Sequence, residues 1–221
     1  MINLKKNSSL IALSIAIASG QLCAQVPADN QELQKKATEW VNELKLSDEG
    51  KKQKVQAAIA QHLTEVRDWH NAHPVKDNPG GINPGTGSTL SNLDWEVIYC
   101  SQKPKTVHEN LMNTLSAELT PEQVEAVLDQ YTIGKVAFTL KGYESIVPDL
   151  TDKERNEILK NLKQAREQAV DYKSMKEISA IFEIYKTKCE QYLNSNGRNW
   201  KQLFKDYVNK RNAEKAAQNN K

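Results

Sequence analysis

No stretch of this sequence is apolar for long enough to cross a bilayer. A spanning helix needs about 20 apolar residues, and the most apolar run, Leu10–Ala18, is less than half that length. Glycine and proline are scarce, at nine and seven in 221 residues, and many of them fall in one segment. Elsewhere the chain is largely free of the residues that interrupt helices. Net charge is nearly absent, with 30 basic residues against 28 acidic ones. Two common catalytic patterns are also missing. There is no Ser-centred nucleophile elbow, and Gly85-Thr86-Gly87 lacks the strand-to-helix setting of a phosphate-binding loop.

What is present begins with a leader. Lys5 and Lys6 precede the Leu10–Ala18 run, and a polar, small-residue stretch ending Leu22-Cys23-Ala24-Gln25 follows it. These are the three parts of a secretory signal peptide over residues 1–24, cleaved after Ala24. Leu22 is bulky where a lipoprotein peptidase expects a small residue, which argues against a lipid anchor on Cys23. The expectation is an exported protein, periplasmic or extracellular. Loss of Lys5 and Lys6 leaves 28 bases against 28 acids. A mature chain of zero formal charge has no net field to attract nucleic acid or an anionic membrane surface. Cys100 and Cys189 remain after cleavage. An oxidising compartment permits a disulfide between them, and two small buried side chains are the alternative.

The body reads as helices. From Asn30 to Leu44, the positions Leu33, Ala37, Trp40, Val41 and Leu44 recur at three- and four-residue steps. Ser47 reads as the N-cap of a second helix with acids in its first turn. Val55, Ala58, Ile59, Leu63 and Val66 carry it toward Trp69, and Pro74 helps to end it. Thr120 and Thr151 are each followed three residues later by Gln123 or Glu154, the pattern of a capping box. Pro121 suits the first helical position, and Leu119 with Val124 can form the accompanying staple. Three similar starts at no fixed period are an echo of helical units, not a repeat array.

Val136, Leu140, Tyr143 and Val147 fit a helix across Tyr131–Val147, although Val136, Phe138 and Leu140 also alternate as a strand would. Continuity with the preceding helix favours helix. After Thr151 the apolar positions Ile158, Leu162, Ala165, Ala169, Tyr172, Ile178, Phe182 and Tyr185 predict one long helix, bent near Asp171–Ser174. Gly197 stops it. Trp200, Phe204 and Tyr207 mark a short final helix, and the polar tail over 211–221 should fray. The expected architecture is all-α, a single domain of antiparallel helices over residues 25–210.

Between Asn71 and Asn92 the periodicity vanishes. Pro74, Pro79, Pro84, Gly80, Gly81, Gly85 and Gly87 concentrate there. Irregular segments of this length inside compact domains are usually functional or disordered. Trp69, His70, Asn71, Asn83 and Trp95 lie in or beside it, and offer the aromatic faces and planar polar groups that a saccharide needs. Buried tryptophans that clamp the loop are the plainer reading of the same residues. His70 and His73 could share a helical face and hold a metal, but no third ligand is visible nearby, so no metal site and no cofactor is assigned. Arg198 could grip an acidic sugar bidentately. Pairing with acids at a helix terminus is the plainer alternative. Acidic residues are spread along every helix, so no catalytic residue can be assigned from them.

Four segments carry a resemblance: Arg67–Pro74, Gly81–Gly87, Tyr131–Thr139 and Gly197–Trp200. They resemble an uncharacterised family of exported bacterial helical proteins, a domain of unknown function described as sugar-binding. That resemblance implies a carbohydrate, or a carbohydrate-degrading protein, as partner. Leu119-Thr120-Pro121-Glu122-Gln123 is more faintly similar to periplasmic spheroplast-protein-type chaperones. Three functions are therefore expected in turn: a non-enzymatic binding protein associated with glycans, a helical holdase chaperone, and a hydrolase or lyase using the His70/His73 region.

Overall fold

The computed structural model describes residues 28–75, 80–84 and 87–219. The leader and its cleavage site lie outside the described residues, as do parts of the irregular segment and the last two residues. Among the described residues nine helices follow one another: α1 (Ala28–Glu43), α2 (Glu49–Ala72), α3 (Asn92–Cys100), α4 (Lys105–Glu118), α5 (Pro121–Thr132), α6 (Lys135–Ile146), α7 (Asp152–Ala169), α8 (Met175–Ser195) and α9 (Trp200–Asn219). The all-α expectation holds. Among the described residues no helix is long and apolar enough to cross a membrane.

Local chemistry accounts for most of the boundaries. Thr120 and Thr151 form the expected capping boxes with Gln123 and Glu154. For α2 the cap is one residue later than expected, because the Asp48 carboxylate accepts the Lys51 amide at 3.0 Å. Two further boxes, Ser91 with Asp94 and Ser174 with Glu177, start α3 and α8. The latter overturns the single long helix expected after Thr151. The chain leaves helical register after Ala169, and Ser174 restarts it, so α7 and α8 form a hairpin. Tyr131–Val147 is helical too, but Ile133 and Gly134 both take left-handed conformations, at φ 53° and 63°, and divide it into α5 and α6. The final helix is not short: α9 continues through the polar segment to Asn219.

Apolar burial, the main driving term, is organised in two clusters. One gathers Ala37, Trp40 and Val41 of α1, Val55 and Ile59 of α2, Leu111 and Leu115 of α4, and Val127, Leu128 and Tyr131 of α5. The other gathers Leu140 and Tyr143 of α6, Ile158, Leu162 and Ala165 of α7, and Ile178, Ile181 and Phe182 of α8. Cys100 and Cys189 are both in this second cluster as free, buried thiols. Each has its own acceptor: Glu177 for Cys100 and the Ile158 carbonyl for Cys189.

Ionisable side chains lie between the two clusters. Arg166 of α7, 2% exposed, reaches α5 and pairs with Glu125 at 2.5 Å and Asp129 at 2.8 Å. Val170, next along the chain, belongs to the α1/α2/α4/α5 cluster, whereas Ala169 and Tyr172 belong to the other. The α7–α8 turn is thus pinned into both cores, and this pinning positions the site described next.

Candidate functional site

Asp171 projects from the α7–α8 turn toward α2 and α4. His62 of α2, 1% exposed, donates from Nε2 to its Oδ1 at 3.0 Å. His108 of α4 places Nδ1 3.1 Å from its Oδ2. Lys103, buried in the α3–α4 connection, donates to the Asp171 carbonyl at 3.2 Å and lies 3.9 Å from Oδ1. Burial alone would raise the Asp171 carboxyl. The contacts from His108 and His62 and the Lys103 charge overcome it and hold the group well below the usual carboxylate range. His108 is pushed upward, chiefly by its contact with Asp171, with burial opposing and the Asp171 and Glu167 charges adding. The Asp171 carboxylate thus faces a half-buried imidazole.

Asp171, His108 and Lys103 of this cluster line an open cleft of about 560 Å³. One wall is the α3–α4 connection and the start of α4, with Lys103, Lys105, His108 and Glu109. The opposite wall is α7 and its turn, with Gln164, Glu167, Gln168 and Asp171, while Tyr172 and Tyr185 add aromatic surface. The volume falls in the range of small-molecule sites, about 300–1,000 Å³. Most of its lining residues carry a polar or charged group. The three cationic lining residues, counting His108 as charged, meet three acids, so no net field favours an anionic ligand.

The residues singled out from sequence fall elsewhere, and none of the seven lines this cleft. The Trp69 indole N–H donates to the Tyr99 carbonyl at 3.3 Å, and its ring stacks on His73 with centroids 3.8 Å apart. His73 in turn donates from Nδ1 to the Trp69 carbonyl at 2.8 Å, closing the end of α2. Asn71 accepts from Lys173 at 2.7 Å. Trp95 donates to the Gly80 carbonyl at 3.1 Å. Ile82 and Thr89 form an antiparallel bridge around a turn in which the Asn83 amide donates to Ser88. Gly81 is at φ +115°, and a Cβ there would lie 3.1 Å from Leu90. Residues 80–81 are therefore held against α3 by Trp95 of that helix.

Arg198 is engaged within the protein. It grips both oxygens of Glu154 at 3.0 and 2.8 Å and the Asp149 carboxylate at 2.8 Å, tying the α8–α9 junction to the start of α7. The Arg198 bond is the largest cause that brings the Glu154 carboxyl down to about 2, against burial and with help from Thr151.

His70 parts company with His73. Its Nε2 lies 3.4 Å from Glu177 Oε1 of α8, and the Cys100 thiol of α3 donates to the same oxygen at 3.4 Å. Burial first, and then the Glu177 charge and hydrogen bond, push the Cys100 thiol up to about 12. Cys100 was considered from sequence only as a partner of Cys189 or a small buried side chain, and Glu177 not at all, since 30 and 107 residues separate them from His70.

An all-α fold with a polar cleft lined in part by a charged cluster defines a helical protein with a small-molecule-sized site. The chain belongs to the family described as proteins of unknown function, DUF3826, which it matches over residues 30–213. No curated protein matches it.

Proposed function

We propose that the chain is an exported, non-enzymatic binding protein that takes a small neutral saccharide in the cleft between α4 and α7. The observation that carries this reading is the composition of the cleft walls. Gln164 and Gln168 offer planar amides that both donate and accept. Glu109 and Glu167 accept from hydroxyls, and Tyr185 offers a ring to the C–H face of a sugar. Charge balance in the walls disfavours phosphates and uronates. That part of the lining is already ordered by the Asp171 cluster, so ligand binding does not have to order it.

Calorimetric titration of the full chain with neutral mono- and oligosaccharides tests the proposal. A sugar that binds should lose at least about tenfold in affinity, about 1.4 kcal/mol, in the Gln164→Ala/Gln168→Ala variant, whose altered side chains are exposed. Failure of every sugar to bind the folded protein, or binding unchanged in that variant, sinks the reading.

One observation favours a second reading, a hydrolase or lyase. With Nδ1 held at Asp171, His108 presents Nε2 toward Glu167 at 3.8 Å. An imidazole oriented by a carboxylate can move a proton at its free nitrogen. On that reading His108→Asn abolishes turnover of a bound sugar while leaving its binding intact. A bound sugar recovered unchanged after long incubation with the wild type excludes it.

A further inference from the structure

The geometry points to a divalent metal site of the kind that holds Zn2+, formed by His70, Cys100 and Glu177. The three residues come from α2, α3 and α8, and their ligand atoms all lie within 4.8 Å of one another. A tetrahedral ion bonded at about 2.0–2.3 Å to nitrogen, oxygen and sulfur sets its ligands about 3.3–3.8 Å apart. Glu177 Oε1 already stands 3.4 Å from both His70 Nε2 and Cys100 Sγ. The remaining separation, between His70 and Cys100, is at most 4.8 Å, so it has to close by no more than about 1–1.5 Å to match that geometry. The donor set of one thiolate, one imidazole and one carboxylate suits a borderline-soft ion and not Mg2+ or Ca2+.

Two further features support the site. The first is the hold on Glu177. The Ser174 amide donates to its Oε2 at 2.8 Å, so the capping box fixes the carboxylate and directs Oε1 at the other two ligands. The second is the burial of Glu177. The residue is 0% exposed, and among the described residues no lysine or arginine pairs with it. Buried carboxylates are paired or coordinate metals, and here the side chains that face this one are a histidine and a thiol, with the Ser174 amide on its other oxygen. His70, with 26% of its side chain exposed, opens the group to solvent. Water can then take the fourth position. On binding, the Cys100 thiol gives its proton to solvent and bonds through sulfur, and His70 carries its proton on Nδ1. Cys100 also lines the cleft, but the site needs nothing bound there and stands apart from the saccharide reading.

Cobalt titration of the full chain after dialysis against a chelator tests this inference. One equivalent of Co2+ should bind, with a sulfur-to-cobalt charge-transfer band and the intense visible bands of tetrahedral cobalt. Zn2+ should displace it. Cys100→Ser, which keeps a donor to Glu177, should abolish the charge-transfer band, and His70→Asn should weaken binding by more than about tenfold, the scale on which even outer-shell changes act. Circular dichroism confirms that both variants remain helical. A wild-type chain that takes up no ion, or binds it without the sulfur band, overturns the site. So does uptake equal to wild type in both folded variants, which would leave the trio as a hydrogen-bonded core contact.

Discussion

Asp171→Asn should be strongly destabilising although it hardly changes the volume of the side chain. The substitution keeps the shape of the side chain but removes the charge that faces His62, His108 and Lys103. Breaking a buried ion pair by deleting one partner costs about 3–5 kcal/mol. Asp171 retains 21% of its side-chain exposure, and solvent screening lowers the figure to about 2–3 kcal/mol. The pH dependence carries a sign. The carboxyl is depressed in the fold, so its contribution is present above its ordinary value of 3.8 and fades as pH falls through the lower folded value. His108 is raised, so its contribution is full below 6.5 and fades as pH rises through the higher folded value. Glu167, which also faces His108, adds to that attraction. The penalty should therefore be largest between about pH 4.5 and 6.5 and smaller at pH 9, where Lys103 is the main remaining cation. Urea unfolding of wild type and variant at pH 5.5 and 9, followed by circular dichroism, measures it. A penalty below about 0.5 kcal/mol at pH 5.5, the size of an ordinary surface change, or one that grows toward pH 9, would refute the reasoning.

Two other perturbations follow from single contacts. Arg198→Ala leaves the buried Glu154 without its guanidinium and should cost about 2 kcal/mol at pH 7. Because Glu154 titrates near 2 in the fold against 4.5 ordinarily, that cost should shrink as pH falls through this window, and denaturant melts at pH 7 and pH 2.5 check it. Ile133 is β-branched, 73% exposed and held at φ 53°. Ile133→Asn should therefore stabilise the chain by about 0.5–1 kcal/mol, since asparagine tolerates this conformation far better. A lower melting temperature in the variant would count against that account.

Helix content was legible in the sequence, while helix connectivity was less so. Thr120 and Thr151 announced their capping boxes, and the structure forms both. Ser174 and Glu177 carried the same signal. It was masked because the apolar positions run unbroken from Tyr172 to Ile178, and both side chains are buried in one cluster on either side of the turn. A chain that reverses direction while keeping its apolar face on the same core looks, in one dimension, like a helix that continues. The irregular segment was also legible as irregular. Among its described residues, however, backbone groups are used in a bridge between Ile82 and Thr89 and in the bond from Trp95 of α3 to Gly80. The cleft could not be read in this way. His62 and Asp171 are 109 residues apart, and no local spacing marks residues that meet only when α2, α4 and the α7–α8 turn pack together. The same holds for Cys100 and Glu177 beside His70.

Amide NMR spectra of the isotope-labelled full chain, recorded while a neutral saccharide is titrated in, test the proposed binding site most directly. The account predicts saturable shifts confined to the α3–α4 connection, the start of α4, residues 164–172 and Tyr185. Shifts centred instead on Trp69, His73, Asn83 and Trp95, or no shifts with any saccharide, would contradict it.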